Sequence, residues 1–350
     1  MNNFLSQVFK AFRKPEPTPE PDPGYEEKIA NEIEFYAECE NVHDLPDIFH
    51  YWSNKYLLPM QQRFGFNSPD DFFRTQVQSH CAANNNATHH IVSIGSGNGE
   101  LEVSVAEYLL DNDINNFSIE CVDINPHMLE RTQQLAAEKG VAEHILVQVS
   151  DFNQWQGKRN HYDIVMANQS LHHVMNLEGL FAAIKKSMKQ TAIFITSDMI
   201  GRNGHQRWPE ALDLLQPFWS ELPDQYRFNQ LLKRHEESYI NHDCSDTGFE
   251  GIRAQDILPL LVKDFQFELF IPFANIIMVF IDRPFGHNFD ATADWDMDFI
   301  DRVHAADEQA IMDGTIKPTQ MLAVMKKQSV KAPQLRHELL TPEYCIRPVK

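Results

Sequence analysis

The chain predicts an α/β protein, a parallel sheet with helices on both faces. Three observations predict it. Between about residues 90 and 200, apolar runs of strand length alternate with amphipathic stretches of helix length. The first run, Ile91-Val92-Ser93-Ile94, breaks into Gly95-Ser96-Gly97-Asn98-Gly99 and resumes at helical spacing as Leu101, Val103, Val105, Ala106 and Leu109. A chain of 350 residues, 43% of them hydrophobic, can also fill the core of one large domain plus an appendage.

Taken in order, residues 1–14 (MNNFLSQVFKAFRK) place Phe4, Leu5, Val8, Phe9 and Phe12 on one helical face, with Lys10, Arg13 and Lys14 and no acid. Such a face suits weak contact with an anionic membrane surface, or docking onto the protein itself. Residues 15–24 alternate proline with acids and read as a semi-extended linker. Residues 25 to about 78 are helical and acidic in pattern, with a stripe at Ile29, Ile33, Tyr36 and Ala37 and then an aromatic-rich helix carrying Tyr51, Trp52 and Tyr56, and residues 80–90 read as a loop into strand one. Strand one at 91–94 is followed by strands at 117–122, 145–149, 162–166 and 192–196. Their ends carry Asp123-Ile124, Asp151-Phe152, Asn168-Gln169 with His172-His173, and Ser197-Asp198.

After the fifth strand comes Gly201-Arg202-Asn203-Gly204-His205-Gln206-Arg207-Trp208, at the sheet edge where open α/β sheets bind ligands. Helical segments at 209–222 and 225–239 complete an insertion over about 201–250. A helix at 254–263 leads to a sixth strand at 265–270. Two runs compete for the seventh strand, 275–281 and 319–325; the later one has the better terminal position. That choice makes 271–318 a long excursion with a helix near 296–312. Residues 329–350 read as a poorly ordered tail.

Composition narrows the function. A net charge of −20 disfavours a nucleic-acid partner, which usually meets a basic face. Five scattered cysteines with no CxxC suit a reducing cytoplasm. Sixteen histidines include no H-E-x-x-H, so no metal is expected. There is no apolar run of transmembrane length and no signal peptide with a cleavage site.

The glycine spacing narrows the ligand. A dinucleotide fingerprint needs G-x-G-x-x-G, which would put the third glycine at Glu100; here it is Gly99. No G-K-[ST] follows, so the loop is not a P-loop. The G-x-G-x-G pattern resembles motif I of the class I S-adenosylmethionine (SAM)-dependent methyltransferases, and the run after the fourth strand resembles their motif IV. The resemblance covers about residues 90–200 and implies a seven-stranded, mostly parallel Rossmann-like sheet, with the methyltransferase domain at 89–328 and a helical cap at 25–88. It also implies roles. Gly95, Ser96, Gly97, Asn98 and Gly99 would hold the methionyl part of SAM, and Asp123 the ribose, with Ile124 on the adenine. Asp151 would take the adenine amino group with Phe152 beside it, and Asn168 and Gln169 would face the methyl donor. One departure stands out: the family often has an acid two residues before the first glycine, and here that residue is Ser93.

Methyl transfer to a hydroxyl or amine needs alignment, exclusion of water and a base. His205, His172, His173 and Asp198 are the candidates for the base. Tyr51, Trp52, Arg202, Arg207 and Trp208 are the candidates for acceptor binding, the arginines implying an acidic acceptor. The expected acceptor is a small molecule or a glycan. The runs 285–290 and 317–321 resemble tails of bacterial methyltransferases associated with surface glycans. The expected location is cytoplasmic, peripheral at the inner face of the membrane through residues 1–14. A non-catalytic SAM-binding-fold protein is the competing reading, with Ser93 as its support. An exocyclic-amine nucleic-acid enzyme would carry prolines after the fourth strand, and this chain has none there.

Overall fold

A computed structural model of the chain describes residues 24–25, 28–29, 45–83, 87–246 and 248–348. Its centre is an eight-stranded sheet in the order β10-β8-β9-β5-β4-β1-β2-β3. The strands are β1 (His89–Ile94), β2 (Phe117–Asp123), β3 (Ile145–Val149), β4 (Tyr162–Asn168) and β5 (Met188–Met199). A two-stranded hairpin, β6 (Phe228–Asn229) and β7 (Arg234–His235), stands apart from the sheet. β8 (Gln266–Phe273), β9 (Gln320–Lys326) and β10 (Gln334–Leu335) complete it. β1 pairs in parallel with β2 on one side and β4 on the other. The chain order therefore reverses direction beside β1, and the crevice at the carboxyl ends of β1 and β4 is the topological switch point.

Local chemistry sets the helix starts. The helices before the sheet are α1 (Asp47–Trp52), α2 (Leu58–Gln62) and α3 (Pro69–Ala82). Between and around the strands follow α4 (Glu100–Asp111), α5 (Pro126–Glu138), α6 (Leu177–Ser187), α7 (Pro209–Glu221) and α8 (Ala254–Asp264). α9 (Ile277–Ile281), α10 (Asp294–Met312) and α11 (Pro342–Cys345) come last. The side chains of Ser68, Asn125 and Asn176 accept the first free N–H groups of α3, α5 and α6. Pro69 and Pro126 take first-turn positions where a missing N–H costs nothing. The near-continuous apolar strands are buried on both faces; Ile164, Val165, Met166, Phe194 and Ile195 have no exposure.

The seventh core strand is β9, the later of the two candidate runs, lying antiparallel between β5 and β8. The other run, 275–281, is instead the short helix α9. Three expectations need correction. The sheet has eight strands rather than seven, because Gln334–Leu335 adds a parallel edge to β8 at Leu269 and Phe270. The tail is packed: Leu340 and Cys345 are buried, and the Thr341 hydroxyl caps α11. Residues 225–239 are not a helix. Asn229 accepts from the N–H groups of Leu231 and Leu232, and Lys233 is left-handed at φ 49°. Side chain-to-backbone bonding of this kind competes with a helix and folds the segment into the β6–β7 hairpin instead. The amphipathic segment 1–14 and the 15–23 stretch lie outside the described residues. No helix among the described residues is long and apolar enough to cross a membrane.

Candidate active site

The crevice is built first from the glycine loop. Gly95, Gly97 and Gly99 are left-handed at φ 70°, 57° and 74°. A β-carbon on Gly95 would stand 2.5 Å from that of Ser170, and one on Gly99 would stand 2.3 Å from a Thr132 methyl, so neither position admits a side chain. The N–H groups of Gly95 and Ser96 donate to the Val122 carbonyl, and the Arg131 guanidinium donates to the Asn98 side chain. Asp123, at the tip of β2, ties the loop down. One carboxylate oxygen accepts from Gly97 N–H (2.9 Å) and the other from Asn125 N–H (2.9 Å).

Beneath the loop, the Ser93 hydroxyl donates to the Glu102 carboxylate of α4 at 2.6 Å, both side chains buried. The next element thus brings a carboxylate beside position 93. Burial pushes the Glu102 carboxyl up to about 7 against the lowering bond from Ser93.

Beside the loop, Ile124, Asp151, Phe152 and Asn153 wall a pocket closed by Tyr25, Ile29 and Phe249. The Tyr25 hydroxyl donates to Asp151 Oδ2 (2.7 Å), and its ring meets Phe249 edge-on at 5.5 Å. Asn168 ends β4. Gln169 follows in a left-handed turn (φ 50°), and its side-chain amide donates to the Ser197 hydroxyl.

On the other side of Ser170, four predicted residues converge. The buried Asp198 accepts from the N–H groups of Ser170, Leu171 and Met199 and from His172 Nδ1 at 2.7 Å. Three imidazoles then face one carboxylate, Glu250. Its oxygens lie 3.4 Å from His172 Nε2, 3.3 Å from His173 Nε2 and 2.7 Å from His205 Nε2. Burial opposes a charge on His172, but the Asp198 and Glu250 carboxylates outweigh it and hold its pKa at about 10. Burial lowers His205, outweighing its bond to Glu250. Burial alone would raise Glu250; the facing imidazoles instead hold it well below the usual carboxylate range.

His205 is left-handed at φ 55°, and Gly204 N–H donates to the Gly251 carbonyl, locking the 201–208 loop onto the segment that carries Glu250. Asp198 is taken up by His172 Nδ1 and three backbone N–H groups, so it orients the His172 ring and leaves Nε2 facing Glu250. The remaining predicted side chains turn elsewhere. Arg202 donates to the Arg207 carbonyl and Arg207 to the His205 carbonyl, so both shape their own loop. Trp208 sits under the Arg347 guanidinium. Tyr51 donates to Asp301 and Trp52 to His304, both on α10, so the structure packs the cap aromatics on the 271–318 excursion and not on the glycine loop.

A family model described as a methyltransferase domain matches residues 85–256, the stretch that holds the loop, both carboxylate-tipped strands and Glu250. The chain contains a methyltransferase domain. A search of curated proteins finds no match. Among solved structures, the chain is similar to the trans-methyltransferase CalH in complex with SAH, at 17% identity over 36% of each chain and a TM-score of 0.32. The match thus spans about a third of CalH. It is also similar to StiE O-MT residues 961–1257 (11% identity, 75% of each chain, TM-score 0.41). A third is the geranyl diphosphate C-methyltransferase of Streptomyces coelicolor A3(2), at 11% identity, 88% of this chain, 100% of that chain and a TM-score of 0.43.

The residues of the site fit SAM. The glycines at 95, 97 and 99 leave room for close backbone approach, a carboxylate tips β2, and a pocket with apolar walls holds a second carboxylate, Asp151. Tyr25, Glu102, Phe249 and Glu250 carry no mark in the sequence reading, and Ile29 enters it only as part of a helical stripe. A Ser two places before the first glycine, with an acid on the following helix, is the signal that could have found Glu102. Nothing local marks Glu250.

Proposed function

We propose that the enzyme methylates an oxygen or nitrogen of a small-molecule or glycan acceptor held over the His172–His173–His205–Glu250 group. The observation that carries this is Ser170. Its hydroxyl donates to the Ile94 carbonyl at the root of the glycine loop, its β-carbon packs on Gly95, and its N–H anchors Asp198. One residue therefore joins the donor site to the imidazole group. SAM supplies an activated methyl when bound. Gly95–Gly99 and Asp123 orient it, and Glu102 provides beneath the loop the carboxylate that family members carry at the position of Ser93.

On the acceptor side, His205 takes the acceptor's proton at an imidazole nitrogen, and Glu250 balances the charge that forms. The acceptor's lone pair forms the new bond to the methyl carbon as the sulfur–carbon bond breaks and its electron pair returns to sulfur. The net charge of −20 supports an acceptor other than nucleic acid. The non-catalytic alternative rested on Ser93, and the Ser93–Glu102 pair removes that support.

Calorimetric titration with S-adenosylhomocysteine is the test, beside Asp123→Ala and a titration with NADH. Micromolar binding is expected for the parent, weaker by about 10- to 100-fold in the variant because the Asp123 carboxylate and its charge-assisted bond to Gly97 N–H are lost, and absent for NADH. A folded parent that does not bind would overturn the reading.

A further inference from the structure

We infer that His172, His173 and Glu250 form a binding site for a divalent transition-metal ion of the zinc type, with Asp198 as the outer partner that orients it. The ligating atoms of the three residues all lie within 4.8 Å of one another. His172 Nε2 and His173 Nε2 stand 3.4 and 3.3 Å from the Glu250 oxygens. Charge-assisted hydrogen bonds run shorter, about 2.7–2.9 Å. Ligand atoms around a tetrahedral ion with bonds of about 2.0–2.2 Å stand roughly 3.3–3.6 Å apart; these two gaps, one to each Glu250 oxygen, are of that size, so the carboxylate and both imidazoles can share one ion.

His172 has a second feature of a metal ligand. Its Nδ1 is bonded to Asp198, and three backbone N–H groups fix that carboxylate in turn. Carboxylate–imidazole pairing of this kind sets the ring's orientation and presents Nε2 to an ion. His205 completes the surround by holding one Glu250 oxygen at 2.7 Å. Entry is open from the Glu250 side, whose side chain is 38% exposed.

Two imidazoles and one carboxylate leave a fourth position for an oxygen of the acceptor, whose proton an ion there would loosen. That last role rests on the acceptor site proposed above; the binding of the ion does not. The arrangement reads as neither H-E-x-x-H nor a cysteine pattern, because the histidines are adjacent and the carboxylate arrives from the far end of an insertion.

The test uses the full chain stripped with a chelator and titrated with cobalt(II), read by its visible absorption, and with zinc by calorimetry. Each sample is also titrated with S-adenosylhomocysteine. One ion per chain is expected, with a tetrahedral cobalt spectrum. Binding should weaken by about 100-fold or more in His173→Ala and in Glu250→Gln while both keep the parent's S-adenosylhomocysteine affinity. The His205→Gln variant should keep the ion. Protein that binds S-adenosylhomocysteine but takes up no ion would overturn the proposal. So would uptake that His173→Ala leaves unchanged, which would place the ion among other histidines. Failure to bind S-adenosylhomocysteine would count against the methyltransferase reading alone, since the metal titration is read without it.

Discussion

Ser93 and Glu102 show how a single exchange can look like a loss in sequence and be a relocation in space. The hydroxyl at 93 is too short to be the missing acid, yet it holds the carboxylate of the next helix at 2.6 Å. The arrangement has a cost that can be measured. Burial raises the Glu102 carboxyl from 4.5 to about 7. An acid raised on folding binds its proton more tightly in the native state, so that contribution is intact below pH 4.5 and is lost as pH rises to about 7. The loss amounts to about 3 kcal/mol when the proton is fully gone. Glu102→Gln keeps the neutral form at every pH. It should therefore melt at the parent's temperature near pH 4.5 and several degrees higher at pH 8. Parent and variant curves that stay parallel across that range would mean the carboxyl is not raised.

At the scale of elements, the site depends on one loop clasping another. Gly251 is left-handed at φ 70°, and a β-carbon there would stand 2.9 Å from the His205 ring and 3.0 Å from its backbone nitrogen. Gly251→Ala should cost about 1–3 kcal/mol in urea unfolding and leave S-adenosylhomocysteine affinity untouched, since the glycine loop is a separate element. Gly248→Ala, three positions earlier with nothing within 4 Å, is the matched control and should change neither. Equal effects of the two would show that the clasp is loose.

This scale also divides what was legible from what was not. Gly95–Gly99, Asp123 and the His172-His173 run are local spacings, and a strand–turn–helix or a strand end is a local event. Glu250 has no such mark, because it reaches His172 only after the insertion folds back. The cap aromatics failed for a related reason. Tyr25 and Tyr51 lie in the same acidic helical stretch. Only tertiary packing sends one hydroxyl to Asp151 and the other to Asp301, 250 positions further along the chain.

Across the whole molecule, the C-terminal segment proves to be part of the core's closure. Leu340 is fully buried, and the Arg336 side chain reaches the Pro272 carbonyl and the Glu308 carboxylate. Leu340→Ala should therefore cost about 2–5 kcal/mol in urea unfolding, as for other buried leucines. A change within 0.5 kcal/mol, the range usual for surface positions, would show that the segment is detached. The tail was misread because it is polar on average; Lys331, Gln334, Arg336, His337 and Glu338 conceal the few residues that anchor it.

The position of β9 bears on how the protein is made. Its residues 320–326 enter between β5 and β8, so the two flanks of the sheet have no shared edge before they arrive. A nascent chain emerging from a ribosome can assemble β3-β2-β1-β4-β5 once residue 199 is out and must then hold it with the β5 edge unpaired until residues 320–326 follow. That interval leaves an apolar strand edge exposed to other chains, the hazard that sheet edges carry in general. The donor crevice at β1 and β4 belongs to the portion made early, and the step that joins the halves is the pairing most distant in sequence, β5 with β9, the kind that sets a slow folding rate.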